Sequence, residues 1–355
     1  VNRTRWEAVR RWRDDLARRD PPAAGLSPEG AREAWRSAWA LLDDTALGQL
    51  AQIPGIPYTS AAFVAAATVP GAPIEWCAAL LGHGSEVVLK VPSGRPGWAD
   101  MLHTGAARHD LPLTVSESRS SILGHPLVIA MGRDASLDAI GDDLAPETRY
   151  LRHGTKFSVA WVTGAPSPPD PHVPTGFEDT WGRVAADAAL YDGRGCLSPA
   201  IVFTPLDPHA AAAALLAALD RALIWPVGEL YGAEGAATRH RAALARIVGH
   251  AVESHGGSVH VLPTDRVVPA GLPRSIALCH AANAADAAAA LSRWSAHLST
   301  VGTDDPASAA VFHGAGASTV CALGRMQRPD VVRLHDGRPW TREILRTPTD
   351  SPPEG

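Results

Sequence analysis

The chain has 355 residues, 46% hydrophobic and 19% charged, the composition of a folded protein long enough for two lobes and not of a disordered chain. A formal net charge of -5 leaves no basic excess, which argues against nucleic acid as the main partner. The four cysteines, Cys77, Cys196, Cys279 and Cys321, show no CxxC spacing, so no disulfide framework is called for and a reducing cytoplasm fits.

Val at position 1 points to an alternative start codon or a trimmed N-terminus. The residues after it run into charged sequence without an apolar core, so no secretory signal is expected. No apolar run reaches membrane-spanning length; residues 210–219 are cut off by Asp220 and Arg221. Residues 6–19 and 27–42 read as amphipathic helices, the second opened by Ser27 as N-cap and Pro28 in the first turn. Residues 61–68 read as a third, short helix, and residues 74–81 as a buried one. Residues 87–91 form a continuous apolar strand that carries Lys90, followed by a turn containing Ser93 and Arg95 and a helix over 97–109. Strands follow at 111–115 and 126–130. A turn at Gly132 then opens a helix over 135–144, and another strand begins at Arg149. Strands alternating with helices predict a parallel, doubly wound sheet whose ligands sit at the carboxyl ends of strands, where Lys90, Ser93 and Gly132 fall. Neither GxGxxG nor GxxxxGK[ST] occurs, so any nucleotide site is of another kind.

Residues 157–162 form a strand leading into a stretch with five prolines in residues 165–174, which reads as a stiff connector between lobes. Beyond it a second set of βαβ-type elements is expected: helices over 177–190, 209–223, 236–254 and 285–297, and strands over 201–204, 258–262, 275–279, 309–312 and 319–322. The histidines are dispersed, with no metal-ligand spacing, and no metal is expected. Lys and Arg total 32, yet only Lys90 and Lys156 are lysines. A compact ammonium suits a single hydroxyl or phosphate oxygen.

Between the helix ending near Leu190 and the strand at 201 lies a short loop in which Gly193 and Gly195 flank Arg194, and Cys196 follows. Glycines admit close backbone approach. A Cys after such a turn can meet backbone N–H groups that lower a thiol pKa and hold an oxyanion. Although a lone Cys is most often a small buried apolar residue, Cys196 reads here as a nucleophile that takes an acyl group.

The run Tyr191-Asp192-Gly193-Arg194-Gly195-Cys196-Leu197-Ser198-Pro199 resembles the nucleophile loop of the LuxC-like acyl-CoA reductases, the fatty acid reductase component of bacterial bioluminescence systems and divergent members of the aldehyde dehydrogenase superfamily. The similarity runs over roughly residues 69–340. It passes through the strand with Lys90 and Ser93, residues 128–134, Gly154-Thr155-Lys156, residues 298–302, residues 324–329 and His335-Asp336-Gly337. The resemblance implies an α/β, aldehyde dehydrogenase-like fold of two doubly wound lobes. Residues 1–55 would be a helical N-terminal extension, 56–165 a cofactor-binding lobe, 175–300 a catalytic lobe, 301–345 a return to the first lobe and 346–355 a disordered tail.

The resemblance further implies NADPH-dependent reduction of a long-chain fatty acyl-CoA or other acyl thioester to an aldehyde through an acyl-Cys intermediate. Cys196 matches the acylated cysteine, and Lys90 the lysine that contacts the adenosine ribose. Ser93 stands where many NAD-preferring relatives carry Glu, and Ser93 with Arg95 would accept a 2′-phosphate. Gly132 falls in the cofactor-binding turn, and His153 is the candidate acid/base for Cys196. The donor would be a fatty acyl-CoA or an acyl-protein, with an acyl-protein synthetase as partner and a homo-oligomeric assembly. The segment Arg152-His153-Gly154-Thr155-Lys156 lacks the Glu base of hydrolytic aldehyde dehydrogenases, and acyl reduction needs no deacylating water. The superfamily oxyanion Asn falls near Gly71, and Gly193 replaces a Gln usual in the family. Two alternatives stand beside this reading: a non-catalytic paralogue that partners an acyl-activating protein, and a Cys/His acyltransferase or thioesterase that uses no nucleotide.

Overall fold

A computed structural model describes residues 2–22, 25–66, 69, 71–93, 97–230, 232–266, 268–269 and 272–347. Arg95 and residues 348–355 of the expected tail lie outside the described residues. The chain packs as two compact units. The first comprises Val1–Ala24, Ala34–Thr155 and Asp330–Gly355, and the second Gly25–Glu33 and Lys156–Pro329.

The chain opens with helices α1 (Arg3–Leu16), α2 (Pro28–Ala40) and α3 (Asp44–Ala51). Asn2 and Asp43 cap α1 and α3 by accepting backbone N–H groups through their side chains. There follow β1 (Ile56–Pro57), β2 (Ser60–Val64), α4 (Ala72–His83), β3 (Glu86–Lys90), α5 (Gly97–Ala107), β4 (Leu113–Ser116), β5 (Leu127–Met131), α6 (Asp134–Asp143) and β6 (Arg149–His153). The sheet of the first unit runs β4-β3-β2-β5-β6 and is parallel throughout. The chain therefore builds outward from β2 through β3 to β4, then returns to place β5 on the other side of β2. That reversal is the topological switch point at which open α/β sheets bind ligands. A helix was expected over 61–68. Residues 60–64 are instead the central strand β2, because Ala61, Ala62 and Phe63 are wholly buried between two parallel neighbours.

The second unit contains β7 (Phe157–Trp161), α7 (Thr180–Ala189), β8 (Pro199–Thr204), α8 (Pro208–Arg221), α9 (Gly232–Val248), β9 (His250–Glu253), β10 (Ser258–Val261), β11 (Ser275–His280), α10 (Ala284–Leu291), β12 (Leu298–Thr303), α11 (Ala309–Gly314) and β13 (Thr319–Ala322). Its sheet runs β13-β12-β7-β8-β11-β10-β9, with only β9 antiparallel. A Cβ on Gly302 would stand 2.6 Å from Met326 Sδ, so bare backbone there admits the Gly324–Pro329 stretch. Two sequence expectations change. The helix expected over 236–254 ends at Val248, and the chain turns at Gly249 into the edge strand β9. The strand expected over 309–312 is helix α11, led in by a 3-10 turn at Pro306–Ser308 that the Asp305 side chain caps.

Residues 330–347 belong again to the first unit. Leu345–Arg346 pairs antiparallel with β1, and Trp340, wholly buried, lies 4.4 Å between centroids from Trp76 of α4. Arg333 holds both Glu75 carboxylate oxygens, at 2.6 and 2.9 Å. No helix among the described residues is long and apolar enough to cross a membrane.

Candidate active site

In the second unit the Cys196 loop leaves α7 and enters β8. Tyr191 (φ 58), Asp192 (φ 54) and Gly193 (φ 72) are three consecutive left-handed residues. Non-glycine residues in that region carry strain of about 1–3 kcal/mol each and persist only where surroundings over-determine them. The bracing is visible. The Asp192 carboxylate accepts from Arg274 Nε at 3.0 Å and from the Gly228 N–H at 3.0 Å, while its carbonyl accepts from the Arg274 N–H at 3.1 Å. Arg274 is buried and also donates to the carbonyls of Ala222 and Trp225. Arg194 grips Glu234 at 3.0 and 3.1 Å and the carbonyls of Gly25 and Glu229. A side chain at 193 would adopt the left-handed conformation with its Cβ 3.3 Å from the Ala188 carbonyl. Glycine meets neither cost at this position.

This braced loop presents Cys196, the one exposed cysteine of the four. Burial pushes the thiols of Cys77 and Cys279 up to about 12. The Cys196 carbonyl accepts from the Ser158 hydroxyl at 2.7 Å, and Ser158 Oγ in turn accepts from the Thr300 N–H at 3.0 Å. The register of β7 with β8 shifts at Ser158/Val159, and that of β12 with β7 shifts between Leu298 and Val301. These irregularities re-aim backbone beside the loop. On the loop's far side, Gln327 Nε2 donates to Ser198 Oγ at 2.6 Å and to the Asp187 carbonyl at 3.1 Å. The Asp187 carboxyl accepts from the N–H groups of Gly324 and Met326, and burial pushes it up to about 7. Lys156 Nζ is turned to the Ala296 carbonyl at 2.8 Å.

In the first unit a cavity of about 560 Å³ opens at the carboxyl ends of β2, β3 and β5. Val64, Ile122 and Ile140 supply apolar wall, Ala135, Ser136 and Ala139 come from α6, and Lys90, Arg119 and Arg133 bring three cations. No carboxylate among the described residues lines it. Its size, apolar walls, switch-point position and cationic rim fit the adenosine half of a nicotinamide dinucleotide. Lys90 thus falls on the cavity, whereas Ser93, in the turn after β3, is exposed and is not part of the lining. Gly132 donates its N–H to the His153 carbonyl at 3.1 Å and precedes the cavity residue Arg133; a Cβ there would meet nothing nearer than Leu137 at 3.8 Å. Arg119 and Arg133 escaped sequence reasoning because only the β2–β5 switch brings them to one rim.

His153 closes β6 in register with Met131 and is buried. Its Nδ1 lies 2.7 Å from Asp336 Oδ2, its ring stands 5.2 Å from Trp76 and 4.5 Å from His335, and its Nε2 is buried with no partner. Asp336 (φ 52) and Gly337 (φ 77) form the two-residue hairpin turn, closed by reciprocal His335 and Arg338 backbone bonds at 2.8 and 3.0 Å, that sets this pair. The sequence spacing hides the grouping: His153, His335 and Asp336 bring one ligand-type atom each within 4.8 Å of one another.

A family model for acyl-CoA reductase (LuxC) matches residues 121–346. No curated protein sequence matches the chain. Among solved structures, the chain is similar to the NAD-dependent benzaldehyde dehydrogenase of Corynebacterium glutamicum (14% identity, 97% of this chain and 82% of that one, TM-score 0.66). It is also similar to aldehyde dehydrogenase 21 of Physcomitrella patens, solved in complex with the reaction product succinate (13%, 97% and 84%, TM-score 0.70). A third similar structure is the methylmalonate-semialdehyde dehydrogenase of Oceanimonas doudoroffii (13%, 97% and 84%, TM-score 0.72). These likenesses establish an aldehyde dehydrogenase-like fold, and the match across well over half of its length makes the chain a member of the acyl-CoA reductase (LuxC) family.

Proposed function

We propose that the protein reduces a fatty acyl thioester, acyl-CoA or acyl-protein, to the aldehyde at the expense of NADPH, with Cys196 as the acyl-accepting nucleophile. The observation that carries the reading is the exposed Cys196 on a strained loop braced from several sides, in a chain of the acyl-CoA reductase family. The thiolate adds to the acyl carbonyl, forming the new C–S bond. The tetrahedral oxyanion collapses and expels the donor thiolate, which takes up a proton. The residues lining the first unit's cavity, Lys90 among them, would hold NADPH, which when bound would supply hydride for reduction of an acyl-Cys carbonyl; the resulting alkoxide takes a proton from solvent to give the hemithioacetal. Breakdown of that hemithioacetal releases the aldehyde and returns Cys196.

Ser158 and Thr300 fix the Cys196 carbonyl and so the direction of the loop. For His153 as acid/base, the support is its Asp336 bond, which orients the ring and leaves Nε2 uncommitted. Lys90 and the cationic rim support a phosphorylated dinucleotide over an unphosphorylated one. The test follows aldehyde formation and NADPH oxidation together with a long-chain acyl-CoA. One aldehyde per NADPH is expected, with Cys196→Ala lowering turnover by at least about 10⁴-fold. Turnover that survives Cys196→Ala rules the mechanism out.

A further inference from the structure

We propose that Arg133 reads the 2′-phosphate of the dinucleotide and so sets the cofactor preference of this chain. The inference rests on the reductase reading above and deepens it. The three cations at the cavity of the first unit are not equivalent. Arg119 is already occupied: its Nε lies 2.7 Å from Asp143 Oδ2, and its guanidinium also donates to the Ala139 carbonyl. Both partners belong to α6, so Arg119 is pinned along that helix as wall. Lys90 ends β3 half-buried, in register with Val64 of β2, where a compact ammonium suits single oxygens.

Arg133 differs from both. It is exposed, it stands at the N-cap position of α6, and its carbonyl accepts from the N–H groups of Ser136 and Leu137. No side-chain cap bond engages it, and no described residue pairs with its guanidinium. An unpaired guanidinium fork on a cavity rim is suited to bidentate recognition of a phosphate dianion. The complementary device for an unphosphorylated ribose is a carboxylate on the 2′-hydroxyl, and no carboxylate among the described residues lines this cavity. The pairing of Arg119 with Asp143 also matters here, because it keeps that carboxylate turned to a cation.

The same side chain has a competing use. As the residue before the first turn of α6, Arg133 lies where helix N-termini hold the pyrophosphate common to both cofactors. The two uses separate in binding experiments on the full chain. NADPH and NADH are titrated by their own fluorescence, and 2′,5′-ADP and 5′-AMP by competition, against the parent protein, Arg133→Ala and Arg133→Lys. Because Arg133 is exposed and its fold contacts are backbone ones, circular dichroism should be the same for all three. Arg133→Ala is expected to weaken NADPH and 2′,5′-ADP by at least about tenfold while NADH and 5′-AMP stay within about twofold, with Arg133→Lys recovering part of the loss. Equal weakening of both cofactors, or no weakening, overturns the assignment while the reductase reading stands, since NADPH still binds. A parent chain that binds none of the four probes overturns the assignment and the nucleotide reading together.

Discussion

Ser158 sits at the centre of the residue-scale design. One hydroxyl donates to the Cys196 carbonyl and accepts from the Thr300 N–H, so it ties the Cys196 loop to two neighbouring strands at their irregular positions. Ser158→Ala removes both bonds and leaves a buried N–H and a carbonyl unsatisfied, which costs about 1–3 kcal/mol of stability. If the bond positions the thiol, kcat should fall more than KM; a stability loss with unchanged kinetics would mark Ser158 as structural only. A second residue-scale effect concerns His335. Burial lowers its pKa to about 3; nearby His153, Arg333 and Arg338 push the same way, and Asp336 opposes them. Below the ordinary value of 6.5 the unfolded chain therefore binds a proton that the folded chain refuses. The stabilisation is full above pH 6.5 and is lost as pH falls toward 3, at up to about 1.4 kcal/mol per pH unit. Denaturant melts between pH 4 and 7 should show this slope, and His335→Phe should flatten it; an unchanged slope would count against it. Cys196 and Lys90 were legible because each is chemically singular in the sequence: a thiol after a Gly-Arg-Gly turn, and one of two lysines. Arg133 was not, because an arginine among thirty says nothing until the β2–β5 reversal puts it on a cavity rim. The His153–Asp336 contact spans 183 residues, and no local spacing encodes it.

At the scale of elements, the short closing helix Trp340–Glu343 matters more than its length suggests. Trp340 is fully buried, tilts against Trp76, and donates its indole N–H to the Val331 carbonyl at 3.1 Å. Trp76 also walls His153 and His335. Trp340→Ala should destabilise the protein by about 3–5 kcal/mol, read as a lower midpoint in urea, whereas a change under about 1 kcal/mol would mean the segment is not part of the first unit's core. Most elements could be read from periodicity and capping: the Ser27-Pro28 start of α2, the strand that carries Lys90, and the helix that feeds the Cys196 loop. Two of the misreadings share a cause. The runs at residues 61–67 and 309–312 are seven and four residues of unbroken apolar sequence, in which a period of 2 or 3.6 cannot declare itself. Sheet position made the first a strand, and the Pro306 turn made the second a helix.

At the scale of the whole molecule, the chain leaves its first unit at Lys156 and returns at Asp330, so the first unit is completed only by the last part of the sequence. The segments Gly324–Pro329 and His335-Asp336-Gly337 lie on either side of that return: Gln327 reaches Ser198 near Cys196 within the second unit, and Asp336 reaches His153 within the first. The fold class was legible from alternating strands and helices, but the point of return was not, because it depends on which unit offers Trp340, Arg333 and Leu345 their partners. The central claim is that Cys196 carries the acyl group and that NADPH discharges it. Intact-protein and peptide mass spectrometry of the full chain with a long-chain acyl-CoA, before and after NADPH, tests it directly. An acyl adduct on the Cys196 peptide that vanishes on adding NADPH, with aldehyde appearing in equal amount, is the expected result. An adduct lost equally fast without NADPH would make the protein an acyltransferase or thioesterase, and no adduct on Cys196 from any acyl donor would contradict catalysis at this site altogether.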